Sequence, residues 1–204
     1  KNGYARFCDE TDTEHVNADG QKWYLRDISN LVRVNRNHPS IVMWSIGNEV
    51  PEQSHADGLY YSTMMQDLIH RLDGTRPCTQ GMNSGRAAME NGIWQTMDIP
   101  GWNYHVMEYP AGEKASKSGI IVGSETASTI SSRGVYKFPV TEEVQTMYPD
   151  GQVSSYDLTV CHWSNLPDDD WVMQDLDPRV IGEFVWTGFD YLGEPTPYDE
   201  YWPS

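Results

Sequence analysis

The chain has 204 residues, 38% hydrophobic and 22% charged, which is enough to bury a sizeable core as one domain or a small pair. Thirty acidic against 14 basic side chains leave a net charge of −16, which argues against nucleic acid and membrane surfaces as partners. No apolar run approaches the roughly 20 residues that span a bilayer. Three widely spaced cysteines, Cys8, Cys78 and Cys161, form neither a disulfide framework nor a Cys-type zinc pattern and read as buried thiols.

In chain order, residues 4–8 are a weak first strand, followed by an acidic loop over 9–14. Residues 21–36 have helical spacing, with Tyr24, Ile28, Leu31, Val32 and Asn35 on one face. Residues 41–46 are a continuous apolar strand closed by Gly47. Residues 56–72 form a second amphipathic helix, with Tyr61, Met64, Met65, Leu68 and Leu72 inward, and Asp73-Gly74 and Pro77 stop it. Short strands follow at 78–82, 99–104 and 120–123, and a strong last one at 180–189. The polar stretch 129–179 combines a functional loop with a short helix, and Asp168-Asp169-Asp170 reads as a solvated helix start. Continuous rather than alternating apolar strands imply parallel strands buried on both faces. Their alternation with helices makes the chain α/β.

The strands end in polar and aromatic residues: Gly47-Asn48-Glu49, Trp102-Asn103-Tyr104-His105, Ser124-Glu125-Thr126 and Trp186-Thr187-Gly188. In parallel α/β sheets and barrels the chemistry sits at the C-terminal strand ends. Two glutamates there suit work on a sugar. A retaining glycosidase uses one carboxylic acid to protonate the leaving oxygen and a second carboxylate, about 5 Å away, to attack the anomeric carbon. Glu49 and Glu125 are 76 residues apart. At about 31 residues per βα unit of a barrel, that is two or three units, and the strand count makes it three.

The sequence around each glutamate is similar to a known family. Asn37-His38-Pro39-Ser40 followed by Ile41-Val42-Met43-Trp44-Ser45-Ile46-Gly47-Asn48-Glu49 resembles the acid/base signature of glycoside hydrolase family 2. Gly123-Ser124-Glu125-Thr126-Ala127-Ser128, running on to Arg133-Gly134-Val135-Tyr136, resembles the nucleophile region of its β-galactosidase-like members. Gly182-Glu183-Phe184-Val185-Trp186-Thr187-Gly188-Phe189-Asp190-Tyr191 is similar to the last barrel strand.

The resemblance implies a retaining exo-β-glycosidase acting on terminal β-linked galactose, with β-glucuronidase, β-mannosidase or an inactive sugar-binding fragment as alternatives. It implies Glu49 as general acid/base and Glu125 as nucleophile. Asn48 would bind the sugar 2-hydroxyl, Tyr104 would orient Glu125, and Trp186 would supply an apolar platform. Asp9 or Glu10 faces the same mouth, and His105 lines it. Glu14-His15 does not reproduce the spacing with which some members hold Mg²⁺, so no metal or other cofactor is expected. A glucuronidase needs a cationic clamp for its substrate, and only Arg133 stands near a strand end.

The expected fold is an incomplete (β/α)8 TIM barrel, a single partial catalytic domain over 1–204. Strands three to eight are present, beginning with residues 4–8, while strands one and two, the last helix and the accessory domains are missing. Open strand edges then predict poor stability, self-association and weak turnover for the chain alone.

Overall fold

The computed structural model describes residues 3–8, 20–141, 143–144 and 148–189. The helices are α1 (Tyr4–Phe7), α2 (Trp23–Asn35), α3 (Gly58–Leu72), α4 (Gly85–Asn91), α5 (Ile93–Thr96), α6 (Tyr109–Ala115) and α7 (Pro167–Leu176). The strands are β1 (Trp44–Asn48), β2 (Cys78–Met82), β3 (Gly101–Asn103), β4 (Ile121–Ala127), β5 (Thr129–Ile130), β6 (Glu143–Val144), β7 (Thr159–Val160) and β8 (Val180–Trp186). The chain divides into two compact units: Lys1–Gly101 with Pro110–Ile121, and Trp102–Tyr109 with Val122–Ser204.

In the first unit β1 and β2 pair in parallel, with Trp44 opposite Cys78 and Ser45 opposite Thr79. The register shifts before Asn48 meets Gly81. All five residues of β2 are buried, as a parallel strand covered on both faces requires. Helix α2 buries Tyr24, Ile28 and Val32, one residue per turn, while Leu31 lies outside that stripe and is exposed. Helix α3 buries Met65, Leu68 and Ile69 and packs on α2 and β1.

Two expectations from the sequence need correction here. Residues 4–8 are not a strand. Phe7 N–H donates to the Gly3 carbonyl and Cys8 N–H to the Tyr4 carbonyl, closing a helical turn, and Ala5 N–H donates to Glu52 Oε1. A five-residue segment whose amides are satisfied locally and by a side chain has no need of a strand neighbour. The strand expected at 41–46 starts later, at Trp44. Before that point Arg76 reaches over the segment, with Nε donating to the Ile41 carbonyl and a second guanidinium nitrogen to the His38 carbonyl. Side-chain bonds therefore take the place of a ladder there.

The turn between α3 and β2 is organised by Asp73, which is 7% exposed. Its Oδ2 accepts Trp44 Nε1–H at 3.0 Å and Arg76 at 2.6 Å. Its Oδ1 accepts the Thr75 hydroxyl at 2.5 Å and the Thr75 N–H at 3.0 Å. The Thr75 hydroxyl first, then the Thr75 N–H, Arg76 and Trp44, hold this carboxyl well below the usual carboxylate range against the opposing effect of burial.

In the second unit β3, β4 and β8 lie in that order in a sheet. The stretch read from sequence as loop plus short helix contains a small second sheet. There β5 pairs antiparallel with β7, and β6 parallel with β7. Helix α7 follows, opening on Pro167 with three aspartates in its first turn. Strand β8 buries Val180 but leaves Phe184, Val185 and Trp186 about half exposed.

Asp73→Ala strips the indole and guanidinium of their acceptor at a buried ion pair and is expected to cost about 3 kcal/mol of unfolding free energy. Because the folded-state carboxyl is depressed, its contribution is complete above about pH 4 and is lost as the pH falls below that. Urea midpoints at pH 7 and pH 3 check both points. A variant penalty of equal size at the two values contradicts the assignment.

Candidate active site

In the first unit, Asn48 and Glu49 stand where β1 ends. The glycine before them has a steric cause: a Cβ on Gly47 would lie 2.6 Å from the Tyr4 hydroxyl oxygen. Tyr4 is buried and its hydroxyl donates to Gln80 Oε1 at 2.8 Å. Burial raises the tyrosine pKa far above its usual value, so it stays a donor. Glu49 N–H donates to the Gly81 carbonyl at 2.9 Å, one residue past the strand. Its φ of 49° is left-handed, which costs a non-glycine residue about 1 kcal/mol or more. The backbone therefore turns sharply at the glutamate itself, and its side chain is partly exposed.

In the second unit, Glu125 is held by the neighbouring strand end. Tyr104 Oη donates to Glu125 Oε1 at 2.6 Å, and Tyr104 N–H donates to the Glu125 carbonyl, also at 2.6 Å. Asn103 Nδ2 lies 3.4 Å from Glu125 Oε2. The Ser124 hydroxyl donates to Asn103 Oδ1 at 2.6 Å, which fixes the amide so that its NH₂ faces the carboxylate. Both carboxylate oxygens thus have donors, and the bond from Tyr104 has the shortness of a charge-assisted O–H···O⁻ pair. Tyr104 and His105 both have left-handed φ, 59° and 53°. Gly123 is again a close approach: a Cβ there would meet the Tyr109 hydroxyl at 2.8 Å and Thr126 Cγ2 at 2.9 Å.

Beyond Glu125 the backbone is strained. Ala127 and Ser128 have φ of 61° and 63°, consecutive left-handed residues that are neither glycine nor asparagine. Two acceptors hold them. Ala127 N–H donates to Asp170 Oδ2 at 2.8 Å, and Ser128 N–H donates to the Trp186 carbonyl at 3.2 Å. Such strain persists only where the surroundings over-determine it. Asp170, expected from sequence to be solvated, is 1% exposed, because its place in the first turn of α7 carries it inward onto the end of β4. Burial first, then the Glu183 and Asp169 charges, push its carboxyl up to about 6 against the lowering effect of Ala127 and Asn165. Glu183 on β8 accepts the Thr126 hydroxyl at 2.6 Å.

Of the other residues singled out by sequence, Trp186 is 45% exposed on β8. His105 is an exposed side chain ahead of the short turn Val106–Glu108, and its carbonyl accepts the Glu108 N–H. The His38 carbonyl accepts the Ile41 N–H, which orders the turn before β1. Asp9, Glu10, Glu14 and His15 lie outside the described residues. Asn103, Ser124, Thr126 and Glu183 stand within the quoted motifs, yet sequence reasoning gave them no task. Strand alternation would send Asn103 and Tyr104 to opposite faces, and it is the left-handed φ of Tyr104 that breaks the pattern and lets both reach Glu125. Asp170 has no sequence signal, since a buried acid and a solvated one look alike in an acidic run.

Replacing Asp170 separates two of its effects. A raised carboxyl pKa favours folding fully below the unfolded value near pH 4, and that contribution declines as the pH rises through about 6. Asp170→Asn keeps an acceptor for Ala127 without the charge. We expect it to match the parent at pH 4 and to exceed it at pH 7 by up to ~3 kcal/mol. Asp170→Ala removes the acceptor and is expected to be less stable than Asp170→Asn at both values. Chemical denaturation at the two pH values measures this, and a difference between parent and Asp170→Asn that ignores pH refutes it.

Comparison with known proteins places the chain in a family. The model for "Glycosyl hydrolases family 2, TIM barrel domain" matches residues 3–199. Among curated proteins, the chain is 30% identical over 243 residues to Beta-galactosidase BoGH2A of Bacteroides ovatus, covering 98% of this chain and 27% of that protein. It is 26% identical over 179 residues to a Beta-glucuronidase of Chlorocebus aethiops, covering 85% of this chain and 27% of that one. Among solved structures, a glycosyl hydrolase family 2 member from Bacteroides cellulosilyticus superimposes with a TM-score of 0.61 at 26% identity, over 95% of this chain and 19% of that one. The Ruminococcus gnavus beta-glucuronidase shares the fold, with a TM-score of 0.57 at 15% identity, over 85% of this chain and 30% of that one. The chain spans about a quarter of the length of the curated relatives named here. An α/β chain of this kind, with glutamates at the ends of β1 and β4, belongs to glycoside hydrolase family 2 and carries its TIM barrel domain.

Proposed function

We propose that the chain supplies the catalytic centre of a retaining exo-β-glycosidase that removes terminal β-linked galactose from oligosaccharides or glycoconjugates. The observation that carries this reading is the pair of donors on Glu125, Tyr104 Oη at 2.6 Å and Asn103 Nδ2 at 3.4 Å, in a chain of this family. A nucleophilic carboxylate must be ionised and aimed, and donors on both oxygens do that.

In the reaction, a Glu125 oxygen attacks the anomeric carbon while Glu49 gives its proton to the departing glycosidic oxygen. The glycosyl–Glu125 ester and the free alcohol result. Glu49, now a carboxylate, takes a proton from water. The hydroxide so formed attacks the same carbon, releasing the sugar with retained configuration and Glu125 as a carboxylate. Asn48 hydrogen-bonds the sugar 2-hydroxyl, an interaction that strengthens as the oxocarbenium-like transition state forms. The exposed Trp186 indole offers an apolar face to the sugar ring.

Galactose is favoured over a uronic acid by sequence likeness and by charge. Lys137 is paired with Asp150, and Arg179 with Asp177 at 2.5 Å. A glucuronate carboxylate in this unit would therefore depend on Arg133. The glucuronidase reading keeps its own support from the relatives of that name.

The test is covalent trapping in the polypeptide as its host makes it. A 2-deoxy-2-fluoro-β-galactosyl fluoride is expected to leave a fluorogalactosyl mass on the peptide containing Glu125. Trapping only by the glucuronyl analogue transfers the assignment to glucuronidase, and a label on another residue overturns the nucleophile. Tyr104→Phe is expected to lower kcat by about 10²-fold or more with KM little changed, since it loosens a group that acts in the transition state. Glu49→Ala is expected to slow alkyl galactosides far more than activated aryl ones, and equal losses refute its acid role.

A further inference from the structure

In the first unit, away from Glu49, three side chains of different donor chemistry converge. His70 lies in the last turn of α3. Its Nε2 is 2.7 Å from Asp98 Oδ2. That oxygen also accepts the N–H of Cys78, the first residue of β2, at 2.8 Å. That backbone hydrogen bond fixes Cys78 next to the carboxylate. One nitrogen, one sulfur and one oxygen from these residues all lie within 4.8 Å of one another.

We propose that His70, Cys78 and Asp98 form a binding site for a thiophilic divalent cation of the zinc class, with a water molecule as fourth ligand. Zinc takes nitrogen and oxygen ligands at about 2.0 Å and thiolate at about 2.3 Å in a tetrahedron. Ligand atoms around it are therefore roughly 3.3–3.7 Å apart. The three atoms, now within 4.8 Å of one another, reach that spacing by shifts of roughly 1 Å. The thiolate selects zinc over magnesium and calcium, which prefer all-oxygen shells.

Exposure gives the site a route from solvent. Cys78 is fully buried, while the side chains of His70 and Asp98 are 35% and 36% exposed. The cation thus enters past the imidazole and carboxylate and meets the thiol last. The Asp98 carboxylate beside Cys78 favours a cation there. Binding displaces the thiol proton to solvent, and His70 binds through Nε2 in the tautomer that carries its proton on Nδ1. At least one proton is released per cation.

Cobalt(II) is a probe that reports the donor set. Titrated into the reduced chain, it is expected to produce a sulfur-to-cobalt charge-transfer band saturating at one cation per chain and bleached by zinc. The band is expected to survive in Cys8→Ser and Cys161→Ser and to disappear in Cys78→Ser. His70→Ala, at a partly exposed position where folding is retained, is expected to raise the cobalt needed for half-saturation at least tenfold. Absence of the band in the parent chain overturns the proposal without calling on any variant. A band that persists in Cys78→Ser, or a His70→Ala titration that matches the parent, overturns it as well. None of these readouts depends on glycosidase activity, so failure here and failure of the catalytic assignment are separate results.

Discussion

The hydrogen bond from Tyr104 Oη to Glu125 Oε1 is the contact around which the second unit's site is arranged. It does not stand alone, because the Tyr104 N–H is bonded to the Glu125 carbonyl at the same 2.6 Å distance. Backbone and side chain together tie the end of β3 to β4. With the backbone docked, the phenol has little freedom to leave the carboxylate. Ser124 then sets the Asn103 amide, and through it the other carboxylate oxygen. The resulting orientation depends on two consecutive residues of each strand end.

Left-handed backbone gathers at these strand ends. Glu49, Tyr104, His105, Ala127 and Ser128 all have positive φ without being glycine. Each costs energy that must be recovered from the surroundings. The Gly81 carbonyl accepts from Glu49, the Glu125 carbonyl from Tyr104, and Asp170 with the Trp186 carbonyl from Ala127 and Ser128. Hydrogen bonds at these positions thus hold sharp turns that present side chains at the ends of strands, where loops would blur their aim.

Two buried aspartates show how an acidic chain places its charge. Asp73 collects four donors and is held strongly acidic. Asp170 has one backbone donor on Oδ2 and the Glu183 charge nearby, and burial pushes it up to about 6. The residue type is the same, and the number of donors decides the protonation state. The first organises a turn that supports β1 and β2. The second holds the strained backbone past Glu125.

The sequence by itself determined the α/β class, the strands β1, β2, β3, β4 and β8, the helices α2 and α3, the buried thiols, and the family, because apolar periodicity and the strings around Glu49 and Glu125 are local in the chain. Residues 4–8 misled because five residues of mixed character form a strand or a helix turn according to where their amides find acceptors, and Glu52 supplies one from 47 residues away. The small β5–β7–β6 sheet was hidden for the same reason, since two-residue strands carry no periodicity. Only the tertiary structure decided that Asn103 joins Tyr104 on Glu125, that Asp170 is buried, and that His70, Cys78 and Asp98 converge. Those outcomes depend on side chains brought together across 20 or more residues of chain, as with Cys78 and Asp98, and distance in space is the one quantity a linear pattern does not contain.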